Sequence, residues 1–208
     1  QQIRNAICYP NLNVKLVGSN CGIQVGEDGA THQALEDIAI MRVIPNMKVF
    51  CPADAVETKK MLPKVLEDYG PAYIRLGRQP VAEIYDDKYE FHIGKGSILM
   101  EGDEIGIIAT GSLVSSAFSA AQRLQKEGIS VRIVNMSTIK PIDAALIEET
   151  ARKVKLLVTA EDHQVSGGLA GAVAEVLSQT YPKKIHRIGM HDAFGESGKS
   201  ADLYKKYR

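Results

Sequence analysis

Short runs of branched apolar residues recur along this 208-residue chain, with stretches of helical spacing between them. Asn13–Gly18, Met47–Phe50, Ala72–Leu76, Ile105–Thr110, Val131–Met136, Lys155–Ala160 and Ile185–Gly189 read as strands. Helical patterns fill the gaps: Gln33 to about Val43, Ala55–Asp68, Leu113–Gly128, Ala144–Val154, Gly168 to about Gln179 and Ser200–Tyr207. Strands alternating with helices of ten to fifteen residues select parallel sheets with crossover helices, so the predicted class is α/β. Residues 77 to about 94 break the rhythm with Gly77, Pro80, Asp86, Asp87 and Lys88. A boundary there gives two consecutive parallel-sheet α/β units, 1–80 and 92–208, joined by a linker at 81–91. Pro63 lies inside a helical pattern and predicts a kink or a split.

The chain starts without a Met, and Ile3, Ala6 and Ile7 fall on one helical face. It reads as beginning mid-helix, with the first unit truncated at its N-terminus. Charge is balanced at 25 basic and 25 acidic residues, and Trp is absent, which disfavours a nucleic-acid partner. No apolar run approaches the ~20 residues that span a bilayer, so no membrane association is expected. The three cysteines, Cys8, Cys21 and Cys51, are odd in number and widely spaced. That pattern fits a reducing cytoplasm and excludes a CxxC metal site. Cys8 and Cys51 read as packing groups, whereas Cys21 sits in a loop and is expected to be reachable.

That loop is the candidate site. Gly26-Glu27-Asp28-Gly29-Ala30-Thr31-His32-Gln33 follows a strand and precedes a helical pattern. Ligands of open α/β sheets sit beyond the carboxyl ends of the strands. Asp28 can accept a hydrogen bond from a polyol hydroxyl, and His32 can move a proton near neutral pH. The plain alternative is a helix-capping loop, with Asp28 or Thr31 as the cap. Arg75-Leu76-Gly77-Arg78 ends another strand at the same edge. In an extended strand the two arginines point to opposite faces, so one is expected to meet ligand and the other to make structural ion pairs. Three further turns could hold ligand: Thr110-Gly111-Ser112, Glu161-Asp162-His163 and His191-Asp192. Each is more commonly a capping turn or a subunit contact. A dinucleotide fingerprint, a P-loop and a metal-ligand cluster are all missing from the sequence.

GEDGATHQALEDIAIMRVIPNMKV, IRLGRQP, STIKPID, AEDHQVSGGLAGAVAEVL and SGKSADL together resemble the C-terminal part of the transketolase family. The resemblance runs along essentially the whole chain. It implies that 1–80 is the later portion of a thiamine-diphosphate pyrimidine-binding domain and that 92–208 is the family's C-terminal domain. It implies an enzyme that moves a two-carbon ketol unit between sugar phosphates, using thiamine diphosphate and Mg²⁺ bound mostly by residues outside this chain. Asp28 would recognise a sugar hydroxyl, His32 would assist proton transfer as the catalytic group, and Arg78 would hold the substrate phosphate. Asn20 stands where many members carry a phosphate-binding histidine; its amide donates a hydrogen bond but carries no charge. The family's cofactor-activating glutamate and its metal–diphosphate segment are not in this sequence, so the chain is expected to be inactive alone. It would act as a homodimer, or with a separate N-terminal subunit. Deoxyxylulose-phosphate synthase shares the loop but fits IRLGRQP and STIKPID less well. A non-catalytic assembly or regulatory module is the alternative of another class.

Overall fold

The computed structural model describes residues 1–207. Two parallel-dominated sheets form, each closed at one edge by an antiparallel strand. The first contains β1 (Lys15–Gly18), β2 (Lys48–Phe50) and β3 (Ala72–Arg75), with α1 (Asp37–Arg42) and α2 (Ala55–Glu67) between them. The second contains β4 (Ser97–Met100), β5 (Ile105–Ala109), β6 (Val131–Asn135), β8 (Leu156–Gln164) and β9 (Ile185–Met190). Its connecting helices are α3 (Leu113–Lys126), α4 (Ala144–Lys153) and α5 (Leu169–Thr180), and α6 (Ser200–Lys206) follows β9. With β7 (Thr138–Lys140), the strand orders are β1-β3-β2-β7 and β4-β6-β5-β8-β9.

Two strands escape the sequence pattern. β4 is short and half-buried, and it pairs antiparallel with β6. β7 (Thr138–Lys140) belongs to the later part of the chain yet pairs antiparallel with β2 in the first sheet. Lys140 Nζ then donates to the carbonyls of Arg42 (2.9 Å) and Ile44 (2.7 Å). One apolar core spans both units: Ile38, Met47 and Val49 pack with Ile108, Val134, Ile139, Leu169 and Val173.

The stretch between the units contains no helix or strand, but it is tied down. The Asp54 carboxylate accepts the Glu57 N–H (2.7 Å), capping α2, and also the Ile84 (2.6 Å) and Tyr85 (2.9 Å) N–H groups. Tyr89 Oη donates to Glu57 (2.8 Å), and buried Phe91 meets Phe50 edge-on at 6.3 Å. Pro63 does not split α2, which runs unbroken from Ala55 to Glu67 with Met61 and Val65 buried. A proline missing one N–H is tolerated where tertiary packing holds the helix.

The first α-helix begins later than its apolar spacing suggests. α1 starts at Asp37, and residues 23–28 form a short 3₁₀ segment instead, broken at Gly26. Neither Asp28 nor Thr31 therefore caps a helix, and the imidazole of His32 does not stand at a helix N-terminus.

Candidate active site

The loop between β1 and α1 lies at the carboxyl edge of the first sheet, as the strand order requires. Asp28 and Arg78 form an ion pair across it. Both side chains are partly exposed, at 37% and 44%, so the pair is worth about 0–1 kcal/mol and opens readily. They face a cavity of about 440 Å³ whose walls are loop 25–28, Arg78–Gln79 and the 198–200 segment. A carboxylate and a guanidinium side by side suit a ligand that carries both hydroxyls and an anionic end.

His32 and Asn20 do not line this cavity. His32 is exposed, its backbone N–H bonded to the Gly29 carbonyl (3.0 Å) and its Nδ1 3.0 Å from Thr31 Oγ1. Asn20 is half-buried in the left-handed region at φ 62°, where asparagine is one of few tolerated residues. Cys21 departs from expectation. It is 3% exposed and bridges to Ala34, and burial pushes its thiol up to about 12, so it is a packing group. Cys8 and Cys51 are buried, as their apolar neighbours suggest.

The two arginines divide their roles. Arg75 is 3% exposed; its Nε donates to Asp37 (2.8 Å), and its Nη2 donates to the carbonyls of Ala34 (2.9 Å) and Asp162 (2.8 Å). It thereby joins the loop, α1 and the second unit. Burial works against ionisation of Asp37, but the guanidinium beside it and the Tyr73 hydroxyl (2.7 Å) outweigh that and hold its carboxyl below the usual range. Arg78, three residues on, is left facing the cavity.

The Glu161-Asp162-His163 segment supports the site from beneath. Glu161 caps α5 by accepting the N–H groups of Leu169 (2.7 Å) and Ala170 (2.8 Å). Asp162 accepts the N–H of Ile23 (2.9 Å) and the hydroxyl of Tyr204 (2.7 Å), tying β8 and α6 to the site loop. Gly22, at φ 76°, leaves the room for this contact, since an added Cβ would lie 2.0 Å from Asp162 Oδ2. His163 Nδ1 lies 2.7 Å from the Gln164 carbonyl, and Nε2 accepts the Ala39 N–H at 3.4 Å. These partners fix the neutral ring, and burial followed by the charge of Arg75 lowers its pKa to about 4. Thr110-Gly111-Ser112 is likewise structural: Thr110 Oγ1 donates to Met136 (2.8 Å) and the Gly111 N–H to Cys51 (3.2 Å). At the third turn, the Asp192 N–H donates to Gln164 Oε1 at 3.0 Å.

Sequence reasoning missed the 198–200 wall, which lies some 170 residues from the loop it touches. Ser197 Oγ donates to the Glu27 carbonyl (2.5 Å) and Ser200 Oγ to the Gln24 carbonyl (2.8 Å). Long-range pairings of this kind leave no local periodicity to read.

Among the described residues, no group of three His, Cys, Asp or Glu side chains is placed to hold a metal ion.

Comparison with known proteins places this geometry in a family. Residues 1–83 match the model of the transketolase pyrimidine binding domain, and residues 94–208 that of the transketolase C-terminal domain. A putative transketolase C-terminal section from Methanocaldococcus jannaschii is 51% identical over 99% of this chain and 65% of its own length. A 6-deoxy-6-sulfo-D-fructose transketolase subunit from Clostridium sp. strain MSTE9 is 41% identical over 99% of this chain and 64% of its own length. The chain thus spans about two thirds of the curated relatives it matches. A solved split-gene transketolase, described as an inactive β4 tetramer, superposes with a TM-score of 0.92 at 48% identity, over 99% of this chain and 66% of that one. The chain belongs to the transketolase family.

Proposed function

We propose that the chain forms the substrate-side part of a transketolase that moves a two-carbon ketol unit between sugar phosphates. The carrying observation is the Asp28–Arg78 pair on one cavity at the carboxyl edge of the first sheet. A sugar phosphate brings both groups the pair can recognise. The incoming phosphate takes the Arg78 guanidinium fork from Asp28, and the freed carboxylate accepts a sugar hydroxyl. The resemblance aligns Asn20 with the family's phosphate-binding histidine; its amide, which does not line this cavity, would donate one neutral hydrogen bond in the completed assembly. The resemblance gives exposed His32, which lies outside this cavity, the proton transfer at the reacting carbonyl, at the end of the substrate away from its phosphate. Arg75 and Asp162 hold the loop in place.

Thiamine diphosphate, which the family implies, supplies the nucleophilic carbon when bound. Its metal and diphosphate are assigned to residues outside this chain. The chain then works with an N-terminal transketolase section, fused or as a separate subunit, in a homo- or heteromeric assembly. The description of the split-gene relative as an inactive tetramer of one subunit type supports inactivity of this chain alone.

The test is thiamine diphosphate- and Mg²⁺-dependent transfer from xylulose 5-phosphate to ribose 5-phosphate, by the chain alone and with its N-terminal section. Activity in the completed assembly only is expected. Activity in neither, with deoxyxylulose-phosphate synthesis found instead, would overturn the reading.

A further inference from the structure

Lys199, from the second unit, lines the cavity that Asp28 and Arg78 face. It is exposed, and among the described residues it has no ion-pair partner, whereas Arg78 is neutralised by Asp28. Its position is fixed by its neighbours. Ser197 and Ser200 each donate to a loop carbonyl, at Glu27 and Gln24, so the 197–200 strap lies along the very residues that carry Asp28. The fit is close: a Cβ on Gly26 would sit 3.1 Å from Ser200 Oγ and 3.2 Å from the Gly198 carbonyl, and one on Gly29 3.4 Å from the Ser197 backbone N. The strap is thus part of the cavity wall. The charged groups on the cavity are then two carboxylates, Glu27 and Asp28, and two cations, Arg78 and Lys199. Across the loop, Asn20 contributes no charge.

We propose that Lys199 is a specificity-determining residue that binds the substrate phosphate together with Arg78. This rests on the sugar-phosphate reading of the site above. A phosphate dianion is not matched by one guanidinium already paired to Asp28. A second, unpaired ammonium on the same wall supplies the missing charge. The ligand class is a sugar phosphate whose phosphate lies between the site loop and the 197–200 strap, with its hydroxyls toward Asp28. The second unit would then contribute to substrate choice directly as well as to assembly.

The experiment uses the completed enzyme, the chain with its N-terminal section, carrying Lys199→Ala, Lys199→Glu or Lys199→Arg. Initial rates are compared for ribose 5-phosphate and for an unphosphorylated acceptor, glycolaldehyde. Lys199→Ala is expected to lower the preference for the phosphorylated acceptor about tenfold, the size of one charge-assisted hydrogen bond at a partly exposed site, through KM. Lys199→Glu lowers it further, and Lys199→Arg restores it to within about threefold. Equal losses on both acceptors would make Lys199 a structural residue and overturn the proposal, as would an unchanged preference in Lys199→Ala. A wild-type assembly without ketol transfer would instead defeat the functional reading on which the proposal rests.

Discussion

Arg75 is fully enclosed, and its guanidinium holds Asp37, the Ala34 carbonyl and the Asp162 carbonyl at once. Replacing it with Met keeps most of the apolar stem and removes every polar contact. Asp37, whose side chain is 12% exposed, is then left as a buried carboxylate with only the Tyr73 hydroxyl as a strong partner. Breaking a buried ion pair from one side costs about 3–5 kcal/mol. At about 2–4 °C per kcal/mol for a chain of this size, Arg75→Met should lower Tm by about 6–20 °C. The double variant Arg75→Met/Asp37→Asn removes the stranded charge and should recover about 1–3 kcal/mol of that loss. Urea and thermal unfolding followed by circular dichroism measure both. A loss below about 1 kcal/mol in Arg75→Met, or a double variant as unstable as the two single losses added, would refute the claim that Arg75 is the buried anchor and leave its division of labour with Arg78 unsupported.

Gly22→Ala should cost at least about 1–3 kcal/mol, because φ 76° with ψ 177° is a glycine region and the new methyl meets Asp162; a Tm equal to wild type would contradict this. The Glu161–His163 pair predicts opposing pH slopes. Burial, the larger influence on both, raises Glu161 to about 7 and lowers His163 to about 4. Folded Glu161 keeps a proton that the unfolded chain sheds, so its contribution to stability falls as pH rises from about 4.5 to 7. Unfolded His163 takes up a proton that the folded ring refuses, so its contribution is lost as pH falls from about 6.5 to 4. Glu161→Gln should therefore expose a steeper gain of stability with rising pH between about 4.5 and 6.5. Urea midpoints that follow the wild-type profile would argue against it. Asp28→Ala in the completed enzyme should lower kcat/KM about 10–100-fold for hydroxylated acceptors and leave Tm within about 1 °C, since the ion pair it removes is a surface one.

The alternating pattern was legible because apolar runs and helical spacing are local signals. They located seven of the nine strands among the described residues and the carboxyl edge where Asp28 and Arg78 meet. β4 and β7 were not legible: each pairs antiparallel at a sheet edge, outside the strand–helix alternation, and β7 is defined by pairing with β2 about 90 residues away. Strand alternation suggested that the two arginines would part, but β3 ends at Arg75 and Arg78 lies beyond it; the residue pattern alone did not say which arginine turns inward, because Asp37 and the Asp162 carbonyl come from elements far away in sequence, and only the family resemblance singled out Arg78. The loop also misled. Apolar spacing from Leu35 onward suggested a helix starting near Gln33, yet the Gly26 and Gly29 turns and the Gln33 side chain, which donates to the Glu196 carbonyl at 3.0 Å, keep the backbone out of helical geometry until Asp37. Cys21 looked reachable for the same reason, since a loop folded under a distant strap resembles an exposed one in sequence.

The central claim is that Arg78, freed from Asp28 by the substrate, binds the phosphate of a ketol acceptor. The most direct measurement is ketol transfer by the completed enzyme, wild type against Arg78→Ala, with ribose 5-phosphate and with glycolaldehyde as acceptors. The account predicts that Arg78→Ala raises KM for ribose 5-phosphate at least about tenfold while KM for glycolaldehyde moves by less than about twofold. Equal effects on the two acceptors would contradict it.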